Sequence, residues 1–375
     1  MARGTSESRR VIRAAEFFAG IGLVREALDP LGVRIMWAND IEADKKATYI
    51  RNHGAKHFLL DDVRNVIGDD LPDGIELATS SFPCVDLSLA GNRAGLTGEQ
   101  SGMFWEFARV LSECANRPKM VMLENVHGFA TSHGGRDLSD ALGELNALGY
   151  SCDVFAVDAR HFVPQSRPRM FIVGVLGDAP KAAFSGLPPI SDVRPEWVQA
   201  IYGANGHRNL HWIQLPSLPE TDATLADIVQ RLRPSDPRWW SEYQVRKFLD
   251  SMSSLQKDRL LMLKKGPTTW RTAYRRTRNG VAVWEARKDD IAGCLRTTGG
   301  GSSRQAVVQI GAGCVRVRWM TAREYASLMG ADGYELHGVS ENKARFGFGD
   351  AVVVDVVRWI GEHYIVPTLR PRVAA

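Results

Sequence analysis

An α/β fold built on a doubly wound, mostly parallel sheet is what this 375-residue chain predicts. Three observations carry that expectation. Short apolar runs alternate with helix-like segments through the first half. Those runs are followed by glycines, acids or a cysteine, which suit the carboxyl ends of parallel strands. After Gly177 the rhythm stops, and prolines and tryptophans become frequent through about Arg278, the texture of a second, irregular domain.

The elements follow in order. Val11 to Phe18 reads as the first strand; Gly20 and Gly22 break it, and a helix starts at Leu23. Arg34 to Ala38 reads as the second strand, followed by a helix from Glu42 to Asn52. Ile75 to Ser80, Met120 to Glu124, Ser151 to Val157 and Met170 to Val175 read as further strands. Helices fit near Met103 to Cys114 and Leu138 to Leu148, and again at Ala322 to Met329 and Ala351 to Ile360.

Composition narrows the function. Hydrophobic content of 44% and charged content of 24% suit a large packed core rather than disorder. Net charge is only +4, but Arg231 to Arg278 holds 13 Lys or Arg against 4 Asp or Glu, a local +9 that leaves −5 for the rest. That asymmetry points to a polyanion at one surface. The five cysteines are scattered, with no CxxC pair, and no histidines have metal-ligand spacing, so no metal site is expected. No apolar run approaches the ~20 residues of a membrane span. Met1 to Arg10 is polar and basic, unlike a signal peptide, so a cytoplasmic protein is the expectation.

The chemistry sits at the strand ends. Ser80-Ser81-Phe82-Pro83-Cys84 places a thiol after a buried strand, and proline sets the local chain direction. Cysteine is the most reactive nucleophile at its own pKa. Forty residues on, Met120 to Asn125 delivers the carboxyl of Glu124. Phe17-Phe18-Ala19-Gly20-Ile21-Gly22 leads into a helix amino end, where glycine lets backbone approach a ligand. Asp40, 20 residues after Gly20, is placed to accept from ribose hydroxyls, and Asp62 could meet an adenine amino group. NAD and S-adenosylmethionine both fit an adenosine site; the missing third glycine of a dinucleotide fingerprint argues against NAD.

Taken together, these motifs resemble the DNA (cytosine-5)-methyltransferases, in order along most of the chain. Phe17 to Gly22, Asn39-Asp40-Ile41-Glu42 and Asp61-Asp62-Val63 look like the family's cofactor motifs. Pro83-Cys84, with Asp86-Leu87-Ser88 and Gly91, resembles its nucleophile motif and mobile loop. Glu124-Asn125-Val126 resembles its signature acid motif, and Gln165-Ser166-Arg167-Pro168-Arg169 its paired-arginine motif. Arg296-Thr297-Thr298 and Gly349-Asp350-Ala351-Val352-Val353 resemble the two last motifs.

The resemblance implies a sheet of S-adenosylmethionine-dependent methyltransferase type, with 1–177 catalytic and cofactor-binding, 178–315 target recognition, and 316–375 returning to the catalytic domain. It implies a site-specific enzyme methylating C5 of cytosine in double-stranded DNA, with Cys84 adding to a flipped base and Glu124 at its N3 edge. Arg167 is expected to brace the base at O2; Arg169 could do that or support Glu124. S-adenosylmethionine would be held by Phe18, Ala19, Gly20, Gly22, Asp40, Ile41, Asp62, Val63, Pro83, Asp350, Ala351 and Val352. DNA would be met by Ser88, Arg271, Arg275, Arg276, Arg278 and Arg296. The expected enzyme is a monomer on DNA in a bacterial or phage setting at the nucleoid, with a cognate restriction endonuclease as an open partner. Val85, Ile41 and Asp350 depart from the family's usual residues. An RNA or tRNA cytosine methyltransferase, a catalytically silent DNA-binding protein and an NAD-dependent oxidoreductase are the rival readings.

Overall fold

The computed structural model describes residues 10–83, 95–98, 102–278, 280–297 and 304–371. Its elements are, in chain order, β1 (Ile12–Phe17), α1 (Leu23–Leu28), β2 (Val33–Asp40), α2 (Ala43–His53), β3 (Phe58–Leu60), β4 (Leu77–Ser80), α3 (Met103–Glu113) and β5 (Met120–Asn125). Then come α4 (Gly128–Thr131), α5 (Arg136–Ala147), β6 (Tyr150–Asp158), β7 (Pro168–Leu176), β8 (Ala183–Phe184), α6 (Glu196–Ala204) and β9 (Trp212–Ile213). The remainder holds α7 (Leu225–Ile228), α8 (Glu242–Asp250), α9 (Ser254–Leu263), β10 (Thr269–Arg278), β11 (Val281–Ala286), β12 (Gln305–Gly311), β13 (Cys314–Trp319), α10 (Ala322–Leu328), α11 (Glu341–Asp350) and α12 (Val354–Ile360).

Seven strands form one sheet in the order β3-β2-β1-β4-β5-β7-β6. Strands β1 to β5 pair in parallel, and β7 runs antiparallel to β5. Every residue of β5 is buried, as a central strand covered on both faces requires. On α3, Phe104, Phe107, Ala108, Val110 and Leu111 recur at helical spacing and are buried, with the ring of Phe107 5.0 Å from that of Phe17. The strand order reverses between β1 and β4, so the carboxyl ends of these strands flank the switch point where open α/β sheets bind ligands.

The chain divides into two compact units, and not where the sequence predicts. The first comprises Met1–Val157, Pro168–Leu218 and Val356–Ala375; the second, Asp158–Arg167 and Pro219–Asp355. These bounds differ from the expected 177 and 316. Arg194 pairs with fully buried Asp153 at 2.9 Å, and Tyr202 donates to the same carboxylate at 2.7 Å, so the segment after 177 packs in the first unit. The chain rejoins that unit at Val356.

Nor is the second unit irregular. It contains a four-stranded antiparallel sheet, β11-β10-β12-β13, whose inner face packs Ala273, Ala306, Val308, Ile310 and Val317 against Phe248 and Leu260 of α8 and α9. The basic run is strand β10, hydrogen-bonded on both sides. The helix expected from Ala351 begins at Val354, because Ala351 ends α11 in an extended conformation.

Candidate active site

The glycine loop is built by backbone geometry. Phe18 has φ 55, Gly20 φ 57 and Gly22 φ 84, so three residues of five sit in the left-handed region. A side chain at Gly22 would come within 2.7 Å of Tyr49 and His53 of α2, so only glycine fits. Gly20 faces open space: a Cβ there would meet nothing nearer than 4.0 Å, which leaves a cradle through which a ligand can approach backbone. Asp40 ties this loop down: its two oxygens accept from the Gly20 and Glu42 amides, both at 2.8 Å. Each carboxylate oxygen keeps a second lone pair, so a ribose contact remains chemically open.

The neighbouring motifs are joined to this one. Asn39 donates to the Asp61 carbonyl at 2.8 Å, and Val63 is buried in the core. Asp62 accepts from the Arg64 amide at 3.0 Å and the Arg64 guanidinium at 2.6 Å; that guanidinium holds its carboxyl below the usual range. Ile41 is 61% exposed at the end of β2, an apolar platform beside the loop.

Cys84 and Ser88 lie outside the described residues, as does Thr298. The approach to Cys84 is described up to Pro83. Phe82 is buried between Phe104 and Phe129, ring centroids 5.8 and 5.6 Å away. Asn125, at the end of β5, donates to the Phe82 carbonyl at 3.2 Å and accepts from Val126 at 2.8 Å. One residue earlier, buried Glu124 takes Arg169 Nε at 2.8 Å. Antiparallel pairing makes this possible, because β7 runs beside β5 with Phe171 opposite Glu124.

Arg167 requires a correction. It is 3% exposed, and its guanidinium donates to the carbonyls of Leu295 at 2.7 Å, Gly349 at 3.1 Å and Ala351 at 2.7 Å. Its two terminal nitrogens are committed to these carbonyls, and turning either to a base would leave a buried acceptor unpaired. Arg167 organises the last motif instead. Gly349 packs so closely there that a Cβ would meet Arg296 and Thr297 backbone within 2.8 Å, and Thr297 donates to Asp350. Motifs distant in sequence, with Arg167 and Gly349 182 positions apart, thus converge within the second unit.

Sequence reasoning passed over Glu16, which sits in β1 one residue before Phe17. It is 1% exposed, and neither carboxylate oxygen has a hydrogen-bond partner among the described residues. Burial pushes its pKa up to about 8, against the attraction of Arg25. The signal was legible: an acid inside an apolar strand. The neutral acid persists natively where the unfolded chain would ionise, so the unfolded state binds fewer protons and stability falls as pH rises from about 4.5 towards about 8. Glu16→Gln is expected to raise the melting temperature most at the upper end of that window and little at the lower. Equal shifts across the window would remove Glu16 from this account.

On the basic strand, Arg276 and Arg278 both pair with Glu285 of β11, at 3.2 and 2.8 Å, and Arg276 lies over Tyr274. Arg271 is half-buried and donates to Thr269 and the Trp270 carbonyl. Arg296 is exposed. Arg275 is exposed and makes no ion pair among the described residues. Among those residues there is also no group of three or more His, Cys, Asp or Glu able to hold a metal ion, and no helix long and apolar enough to cross a membrane.

Known proteins are similar to this chain. The type II methyltransferase M.Bsp6I of Bacillus sp. (strain RFL6) is 32% identical over 168 residues, 44% of this chain and 52% of that protein. M.HhaI of Haemophilus parahaemolyticus is 29% identical over 163 residues, 43% of this chain and 48% of that one. The chain thus spans about half the length of the curated relatives it matches. Among solved structures, S. pombe Dnmt2 methyltransferase aligns with a TM-score of 0.62 at 18% identity, covering 96% of this chain and 99% of that one. Entamoeba histolytica EhMeth aligns at 0.65 and 13% identity, covering 96% and 100%. At such identities these two speak for the fold alone. The model of the C-5 cytosine-specific DNA methylases matches residues 12–365, and the chain belongs to that family.

Proposed function

We propose that this protein transfers a methyl group to C5 of cytosine in double-stranded DNA. The Glu124–Arg169 pair, beside the Asn125-anchored turn that leads to Cys84, is the observation that carries the reading. Cys84 thiolate adds to C6; the ring's C5–C6 π pair moves toward C5 and N3, and Glu124 hydrogen-bonds or protonates the N3 edge. Arg169, already bonded to Glu124, takes over the contact to O2. After methyl transfer a base supplied by solvent takes the C5 proton, the C5–H pair reforms the C5–C6 double bond, the C6–S pair leaves on the Cys84 thiolate, and any proton given to N3 returns to Glu124. Because C6 is shielded in a stacked duplex, the base must flip, at a cost of a few kcal/mol offset by pocket contacts.

S-adenosylmethionine supplies the methyl group when bound. The open cradle at Gly20, the exposed face of Ile41 and the remaining acceptor capacity of Asp40 fit its adenosine portion. Phe18, Ala19, Gly22, Asp62, Val63 and Pro83 complete the proposed set on the first unit.

Trapping tests this directly. Duplex DNA with 5-fluorocytosine in the target site has no C5 proton to lose, so the sulfur–C6 bond is retained. Mass spectrometry is expected to find the nucleotide on the peptide containing Cys84; its attachment elsewhere, or only with RNA, overturns the proposal. A second expectation concerns DNA affinity. Arg275→Ala should weaken duplex binding and reduce the slope of log K against log salt by about 1, as loss of one phosphate contact does. An unchanged slope takes Arg275 off the phosphate backbone.

A further inference from the structure

A second recess lies within the first unit, at the other end of the large sheet. The residues that start β1, β4 and β5, the chain after α3 and the end of β7 line an open recess of about 750 Å³. Sites of the ordinary α/β kind form at the carboxyl ends of parallel strands, where the glycine loop and Glu124 are. This cavity sits at the amino ends, so it is not part of that site.

Its charge is one-sided. Arg10, Arg13, Arg117 and Lys119 line it, and Glu76 is the only acid among its lining residues. Arg10 and Lys119 both bond the same Glu76 oxygen, Lys119 at 3.1 Å, so that carboxylate already serves two cations. Among the described residues Arg117 pairs with no acid; its Nε caps the Leu111 carbonyl at the end of α3, at 3.3 Å. The Arg13 side chain has no hydrogen-bond or ion-pair partner among the described residues, and its Nε is shut off from solvent. That nitrogen has lost hydration without replacing it, which a bound anion would correct. Val11, Ile75 and Leu176 give the lining an apolar stretch, and Asn116 adds a polar side chain.

We infer that this cavity binds a nucleoside polyphosphate, the phosphates on Arg13 and Arg117 and the base against the apolar wall. Guanidinium forks match phosphate oxygens in pairs, and the volume falls in the range of small-ligand pockets. A carboxylate metabolite would satisfy one fork; a polyphosphate satisfies both and balances the three positive charges left after Glu76.

A fluorescent N-methylanthraniloyl ATP tests this on the whole chain, with excess S-adenosylhomocysteine present to occupy the adenosine site at the glycine loop. One saturable site per chain is expected, emptied by ATP and by inorganic tripolyphosphate. The double variant Arg13→Gln with Arg117→Gln should weaken it at least about tenfold, which is about 1.4 kcal/mol. Arg275→Ala should leave it unchanged. If the double variant melts below the parent protein, either single variant that melts normally replaces it. No saturable binding, full affinity in a normally folded variant, loss in Arg275→Ala, or displacement by duplex DNA but not by tripolyphosphate each overturns the inference.

Discussion

Cys84→Ser is expected to abolish methyl transfer and to leave S-adenosylmethionine binding largely intact. Addition to C6 needs an anionic or readily ionised nucleophile. A few per cent of an ordinary thiol is thiolate at pH 7, whereas a serine hydroxyl without a neighbouring base stays neutral. Losing the covalent step removes the route by which C5 becomes electron-rich, so turnover should fall by at least about 10³-fold. The glycine loop, Asp40 and Ile41 are held by β1 and β2 and do not depend on the sulfur. Tritiated-methyl incorporation into duplex DNA, run beside calorimetric cofactor titration, checks both halves. Turnover retained by the serine variant refutes the nucleophile.

Arg169→Ala and Arg167→Ala, two residues apart, should fail in different ways. Arg169 bonds Glu124 at 2.8 Å, so its loss removes a donor from the pocket where charge develops on the ring. By analogy with single oxyanion donors, kcat of the folded enzyme should drop about 10²- to 10³-fold, beside some loss of stability because buried Glu124 is left without its partner. Arg167 holds three carbonyls inside the second unit. Its loss strands buried acceptors and should cost about 3 to 5 kcal/mol, seen as a lower urea midpoint before any kinetic effect is measured. If Arg167→Ala were as stable as the parent but slow, the assignments of the two arginines would exchange.

Much of this was legible in the residues. Helices α1, α2, α3 and α5 lie within two residues of their predicted bounds, because apolar spacing and glycine breaks are local signals. The order of strands was not legible in that way, and neither was the reversal of β7, which depends on what packs where. Position decided between the arginines. In the sequence Arg167 and Arg169 look alike, and only burial shows that one faces Glu124 and the other Leu295, Gly349 and Ala351. The second unit looked irregular because β10 carries four arginines, and β-strands there are recognised less by apolar alternation than by pairing. Asn279-Gly280 between β10 and β11 was the missed hairpin signal.

The clasp formed by Arg167 also bears on biosynthesis. Its guanidinium and the Ala351 carbonyl are 184 positions apart. At 5–20 residues per second, a ribosome needs roughly ten to forty seconds to deliver the second after the first. Throughout that interval the arginine lacks the last of its acceptors, although Leu295 is made 128 positions after it. The smaller unit therefore matures late, after most of the large sheet has been made.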